Sequence, residues 1–295
     1  MHPGLGVACK LRPTILGVAL QPTAMRCITF WSAVDRPAFV DSERPDFEPT
    51  DFPDIDVTGL LSVEPANTPE RRAAANTLLQ DRYGWRGYAG AHIPNFDGTN
   101  HLPLVATCKG QSVGTLTVSL DGPRGLGCEA TFPEEVRALR ESGKGLCEFT
   151  RLAVHPEAGS RQAIASLFQV AYLVATRLGE ADAVMLEVNP RHVAYYQRII
   201  GATVLAEERF HQRAQAPAVL LSIACDDVRE RITKGGTELP RINARRSLYS
   251  LALSRAEEDA ILARIRQLVQ TVRVDYPPVR FRMPASREPV VLAAC

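Results

Sequence analysis

No apolar run in this 295-residue chain approaches the ~20 residues that a membrane-spanning helix needs. The mildly apolar stretch from Val7 to Leu20 is interrupted by Lys10, Arg12 and Pro13, so no signal peptide is expected. An excess of one charge is missing too: 34 Lys and Arg stand against 33 Asp and Glu. That balance argues against a nucleic-acid partner, because phosphate binding needs a large basic surplus. The seven cysteines are scattered without a Cys-x-x-Cys pair and the six histidines are equally dispersed. This offers no metal site and fits a reducing compartment, so a cytoplasmic location and no bound cofactor are expected. What remains is ordinary globular composition, 45% hydrophobic and 23% charged, in a chain long enough for one large domain or one domain with extensions.

Three regions follow from pattern. Residues 1–67 show no sustained period, recurrent proline and many acidic residues (Asp46, Glu48, Asp51, Asp54, Asp56); composition predicts a flexible acidic leader. Residues 68–225 alternate helical and strand signals and form the expected domain. Thr68 caps a helix with Pro69 at its first position. Leu104–Cys108 and Val113–Val118 read as an antiparallel hairpin around Lys109-Gly110. Gly125 to Gly145 looks like a mobile insert whose short helix starts at a Thr131 cap, with Arg137, Arg140 and Lys144 complementing its C-terminal dipole or meeting an acidic partner. Val204–Phe210 and Ala218–Ile223 are the last strands. Residues 226–295 are a linker, marked by Gly235-Gly236 and Pro240, and a helical extension from about Ser254 that packs back on the core, covers a tunnel or makes a dimer.

The centre of the chain runs from Cys147 to Gly201. Cys147–His155 reads as a strand stopped by Pro156, Ser160 as the cap of a helix with apolar residues at helical spacing from Ile164 to Leu178, and Ala183–Val188 as a buried parallel strand. Strand alternation puts Glu148, Thr150, Leu152 and Val154 on one face and Phe149, Arg151 and Ala153 on the other.

Leu152-Ala153-Val154-His155-Pro156 with its turn and helix, and Asn189-Pro190-Arg191-His192 leading to Tyr195-Tyr196 and Gly201, resemble the thioester-binding core of the GNAT superfamily of N-acyltransferases. Glu148-Phe149-Thr150-Arg151 resembles the Glu-x-Ser-Arg strand of acyl-homoserine-lactone synthases. Together with Arg82-Tyr83-Gly84-Trp85-Arg86-Gly87-Tyr88 and Pro217–Leu221, it looks like the long-chain N-acyl amino acid synthases of the FeeM type. The resemblance covers roughly Thr68 to Cys225. It implies an α/β (α+β) fold, a GNAT-like mixed central sheet flanked by helices. It also implies transfer of a long-chain fatty acyl group from acyl carrier protein, or coenzyme A, to the amine of an amino acid.

The same resemblance nominates residues. Glu148 is the candidate base, direct or through a water, unless it only pairs with an arginine. Tyr196 is the candidate acid for the leaving thiolate, with Tyr195 a rival because the interval to Gly201 is one residue longer than usual. Arg82, Trp85, Asp97, Thr150, Arg151 and Asn189 are candidates for holding substrate; Asn189 also suits a helix cap. A backbone N–H near Leu152 to Val154, where GNAT folds splay two parallel strands, would meet the oxyanion. Gly159 and Arg161 are what remains of a pyrophosphate-binding turn. That weak cradle favours acyl carrier protein, whose acidic helix would meet Arg161, Arg191 and Arg198. Thr117 stands where a homoserine-lactone synthase is expected to carry a basic residue, which argues against S-adenosylmethionine as acceptor. An acyl-homoserine-lactone-type synthase, an acyl-CoA-dependent N-acetyltransferase and a non-catalytic acyl-binding protein stay open as alternatives.

Overall fold

The computed structural model describes residues 61–84, 92–94, 100–155, 161–234 and 247–272. A seven-stranded mixed sheet runs through it in the order β1-β2-β3-β4-β5-β7-β6. The strands are β1 (Leu61–Pro65), β2 (His101–Cys108), β3 (Gln111–Leu120), β4 (Leu146–Val154), β5 (Ala183–Val188), β6 (Thr203–His211) and β7 (Ala216–Ala224). The helices are α1 (Pro69–Tyr83), α2 (Pro133–Glu141), α3 (Arg161–Arg177), α4 (Val193–Ile200), α5 (Cys225–Thr233) and α6 (Arg255–Val272). Only β4 and β5 pair in parallel; every other neighbouring pair is antiparallel.

Local chemistry explains several of these elements. Thr68 caps α1 by accepting from the Arg71 N–H, with Pro69 in the first turn, as the sequence predicts. The β2–β3 hairpin turns through Lys109 and Gly110, both at positive φ (50° and 80°), the twist that a two-residue hairpin loop requires. Gly114 on β3 lets α3 lie close on the sheet, since a Cβ there would stand 2.8 Å from Leu167 Cδ1. The strand β1 falls within residues assigned to the leader on composition. Five residues with one charge are too short to show a period, and pairing with β2 supplies what propensity does not.

The sheet separates two layers. One face carries α3, α4, α5 and α6 over the largest apolar cluster, which includes Leu116, Phe149, Leu152, Ile164, Phe168 and Tyr196. The other carries α1 and the 3₁₀ turn Gly127–Ala130 with α2. The C-terminal segment is strapped to α3 and α4. Gln169 bonds both Leu251 O and Leu253 N at 3.1 Å, Tyr249 donates to Ile200 O at 2.8 Å, and Ile265 of α6 is buried in the same core. No described helix is long and apolar enough to cross a membrane.

Two irregularities shape the centre. Opposite the single residue Leu116, β4 carries both Arg151 and Leu152, with Arg151 at φ +54°. This β-bulge bends the strand and reverses its alternation. The β4–β5 pairing stops after Glu148↔Met185, although β4 continues to Val154 and β5 to Val188. From there the two parallel strands part.

Candidate active site

The face under α1 and α2 is divided. An apolar patch with Val105, Ala153 and Ala216 packs on α1, and a second with Leu146, Met185 and Leu220 packs on the 3₁₀ turn and α2. Between them Thr117 of β3, Glu148 and Thr150 of β4, Glu187 of β5 and His211 of β6 form a buried polar band across the gap in the sheet. Buried polar groups are retained only where they have partners or work to do.

Glu148 is 1% exposed. Its Oε2 accepts the Gly127 N–H at 2.7 Å, and the Cys128 N–H also bonds the carboxylate. Burial pushes the carboxyl up to about 7; the two N–H groups and Arg151 pull the other way, and Glu129 adds a like charge. The 3₁₀ turn is itself held. The Glu129 Oε1 accepts the Leu126 N–H at 2.6 Å, and Arg140 bonds Glu129 and, at 2.6 and 2.7 Å, both oxygens of Asp121. Arg140, in the last turn of α2 where it complements the dipole, thus also meets acidic partners and clamps this turn.

Glu187 is 2% exposed on an otherwise apolar strand, two residues past Met185 on the same face as Glu148. Burial and then the Glu148 charge push it up to about 8, against a hydrogen bond from Thr131 and the charge of Arg213. Thr131, expected as a helix cap, is released for that bond because Phe132 occupies the cap position. The Oε1 of Glu187 lies 3.6 Å from His211 Nε2, across β7 at the small Ala218. His211 Nδ1 accepts the Ala214 N–H at 2.9 Å, which assigns the ring proton to Nε2. Burial holds this histidine neutral by lowering its pKa. Burial and the surrounding carboxylates keep Cys128 a thiol, unsuited to act as a nucleophile. Among the described residues no group of His, Cys, Asp and Glu is arranged to hold a metal.

The bulge corrects the expected faces of β4. Leu152 and Val154 join Phe149 in the α3 core, whereas Arg151 stays with Glu148 and Thr150. Its Nη1 donates to Thr150 Oγ1 at 3.2 Å and its Nε to His92 O at 2.8 Å. Arg82 is buried at the end of α1, and the neighbouring Tyr83 hydroxyl donates to Leu152 O at 3.3 Å. Asn189 caps the short turn after β5, accepting from the Arg191 N–H at 3.2 Å and donating to Pro217 O at 3.4 Å. Tyr195 and Tyr196 are both buried, edge to face at 5.3 Å. Tyr196 turns inward against Phe168; Tyr195 feels the charges of Arg198 and Arg161. Arg161 also donates to Ser247 O, so it ties α3 to the C-terminal segment. Trp85, Asp97 and Gly159 lie outside the described residues.

On the opposite face an apolar pocket, about 470 Å³ with its open mouth counted, lies over the paired end of β4 and β5 and reaches as far as Phe149. Phe149, Ala165, Phe168, Tyr172, Leu248 and Tyr249 are among its walls. Sequence reasoning did not find this pocket, Glu187 or His211. A lone acid within Ala183-Val-Met-Leu-Glu-Val188 was a usable signal for Glu187, since a charge in a buried parallel strand calls for a reason. Nothing in sequence marks His211 as its neighbour.

The profile of the FeeM family of N-acyl amino acid synthases matches residues 74–224. Among solved structures, FeeM, an N-acyl amino acid synthase from uncultured soil microbes, superimposes with TM-score 0.51 at 23% identity, over 58% of this chain and 94% of that one. An acyl-CoA N-acyltransferase from Pseudomonas aeruginosa gives TM-score 0.38 at 16% identity over 55% and 97% of the two chains. A GNAT-family acetyltransferase from Streptococcus pneumoniae gives 0.40 at 16% over 56% and 98%. No curated protein matches the chain. The parted parallel strands, the mixed sheet and the profile over half the sequence agree: this chain has the GNAT fold and belongs to the FeeM N-acyl amino acid synthase family.

Proposed function

We propose that the protein joins a long fatty acyl group, carried as a thioester on acyl carrier protein, to the amine of an amino acid. One observation carries this reading: where β4 parts from β5, consecutive residues face opposite ways, Glu148 as a buried carboxyl on one side and Phe149 as a wall of the apolar pocket on the other. The acyl chain lies in the pocket and the amine meets Glu148. Of the two protons that the ammonium nitrogen loses, one ends on the leaving sulfur and one in solvent. Glu148, poised near 7 by burial, takes the one that is released to solvent. Tyr196, beside the pocket residue Phe168, protonates the thiolate and is restored by the other proton of the nitrogen, with Tyr195 the alternative. Backbone N–H groups freed where β4 leaves β5 face the oxyanion. Arg161 and Arg198 flank Tyr195, and with Arg191 they offer a positive rim to an acidic carrier. The buried, uncharged Thr117 supports a simple amino acid rather than a sulfonium acceptor.

The test is mass spectrometry of lipid extracts from a bacterial host expressing the chain, with Glu148→Gln as control. New N-acyl amino acids that vanish in the variant are expected, and their masses give acceptor and chain length together. Extracts from well-expressed folded protein that contain none would overturn the reading.

A further inference from the structure

Glu187 has no part in the reaction just described, although it is buried, projects to the same face as Glu148 and stands two residues past the point where β5 leaves β4. Its Oε1 accepts no hydrogen bond. A carboxyl left this way on purely structural grounds would be replaced at little loss by an apolar side chain. We propose that Glu148 and Glu187 together form the subsite for the ammonium group of the acceptor. This rests on the reading of the site as an amine acylation centre.

Spacing supports it. Adjacent strands lie ~4.8 Å apart and two residues along a strand advance ~6.6 Å, which puts the two Cα atoms on the order of 8 Å apart where the strands begin to part. Two glutamate side chains leaning inward from that separation leave room for one small cation between them. Charge supports it as well. The groups facing the pair are Arg151 from β4, His211 from β6, Arg213 from the turn after it, and Cys128, Glu129 and Thr131 from the 3₁₀ turn and its exit. Glu129 is already neutralised by Arg140, Cys128 is a thiol and His211 is neutral. Arg151 is shared with Thr150 and His92 O. Arg213 is exposed and lowers Glu187 less than burial raises it, so the pair keeps a proton near neutral pH, as both raised carboxyls indicate. An ammonium ion replaces it: one N–H bonds each carboxylate, the proton leaves to solvent, and Glu148 is ionised when the amine must be deprotonated.

The experiment follows the side-chain carboxyl carbons of Glu148 and Glu187 by NMR in ¹³C-glutamate-labelled full-length protein, across pH, with and without n-propylammonium chloride. Saturating probe is expected to lower both midpoints by ~1–3 pH units, the effect of one nearby opposite charge. In Glu187→Gln the probe should bind at least ~10-fold more weakly and move Glu148 less. Midpoints that ignore the probe would overturn the subsite, as would an unchanged response of Glu148 in Glu187→Gln. Should that variant not fold, the Glu187 carbon of the wild type still decides. Loss of turnover in Glu148→Gln with no response to the probe leaves the base and removes the subsite; the reverse pattern leaves a cation site and removes the acyl-transfer reading.

Discussion

The two faces of the sheet at the β4–β5 gap are built from one strand and differ in every chemical respect. Toward α1 and α2 the strand presents Glu148 and Thr150, and the surroundings add Thr117, Glu187 and His211. Toward α3 it presents Phe149 and Leu152, and the surroundings are rings and aliphatic chains. A strict strand would deliver Leu152 to the polar side. The bulge at Arg151 prevents that, keeping an arginine with the acids and a leucine with the core. The lesson is a division of labour: one face is polar and titratable, the other apolar, and the proposed reaction needs both.

The comparison breaks most severely at Glu148. Replacing it with Gln keeps the size and removes the ionisable carboxyl, so on the proposed reading turnover should fall by ~10²–10⁴, read as product formed from an acyl thioester. A variant with unchanged turnover would reduce the polar face to structure. Next in size is the pH dependence of stability, which should belong to this face alone. Glu148 and Glu187 have folded pKa values raised above the ordinary 4.5, to about 7 and about 8. Through these two groups the folded state binds more protons than the unfolded chain between about 4.5 and 8, while His211, lowered by burial, acts the other way on the acid side. Their contribution to stability is complete below that window and declines as pH rises through it. Each tenfold difference in proton affinity between the folded and unfolded chain is worth ~1.4 kcal/mol. Urea unfolding at about pH 5 and about pH 8.5 should therefore differ by a few kcal/mol, and Glu187→Gln should flatten the dependence.

The apolar face is sharpened by filling it. Ala165 is buried and lines the pocket. Ala165→Leu occupies space that acyl methylenes would take, at an overpacking cost of ~1–3 kcal/mol in stability. Products should shift toward shorter chains, with ~10-fold or greater discrimination against the original length, while the pH profile stays in place. A pH profile that moves with this substitution would show that the two faces are not separate.

Much of this arrangement was legible in the residues. The helix cap at Thr68, the Lys109-Gly110 hairpin, the strand around Glu148 and the amphipathic α6 all carry local signals, and local signals survive folding. What was hidden depends on contacts distant in sequence. A bulge at an arginine has no compositional mark, because φ above zero is imposed by the neighbouring β3 and not by the residue. The Glu187–His211 contact spans β7 and exists because Ala218 is small. The pocket needs walls from residues 149 to 249, which only the folded chain brings together. The insert from Gly125 to Gly145 reads as mobile by its glycines, yet two of its N–H groups hold the central carboxylate.

That insert gives the smallest prediction and the one that tests how tightly the polar face is made. Arg140 is a third exposed, and its bonds to Asp121 and Glu129 are partly screened by water. Arg140→Met should therefore cost only ~1–2 kcal/mol of stability, at the lower end for bonds between charged groups. Its effect on Glu148 is more telling. Without Arg140, Glu129 no longer holds the Leu126 N–H in place, and the Gly127 and Cys128 N–H groups that favour the Glu148 carboxylate become free to turn away. The Glu148 midpoint should rise, and the acid limb of the pH–rate profile should rise with it, while Arg140→Lys restores part of both. A merely structural arginine would change the melting temperature and leave the limb where it was. If the limb moves, the sharp boundary between a polar and an apolar face is maintained from the surface, by one arginine outside the band it serves.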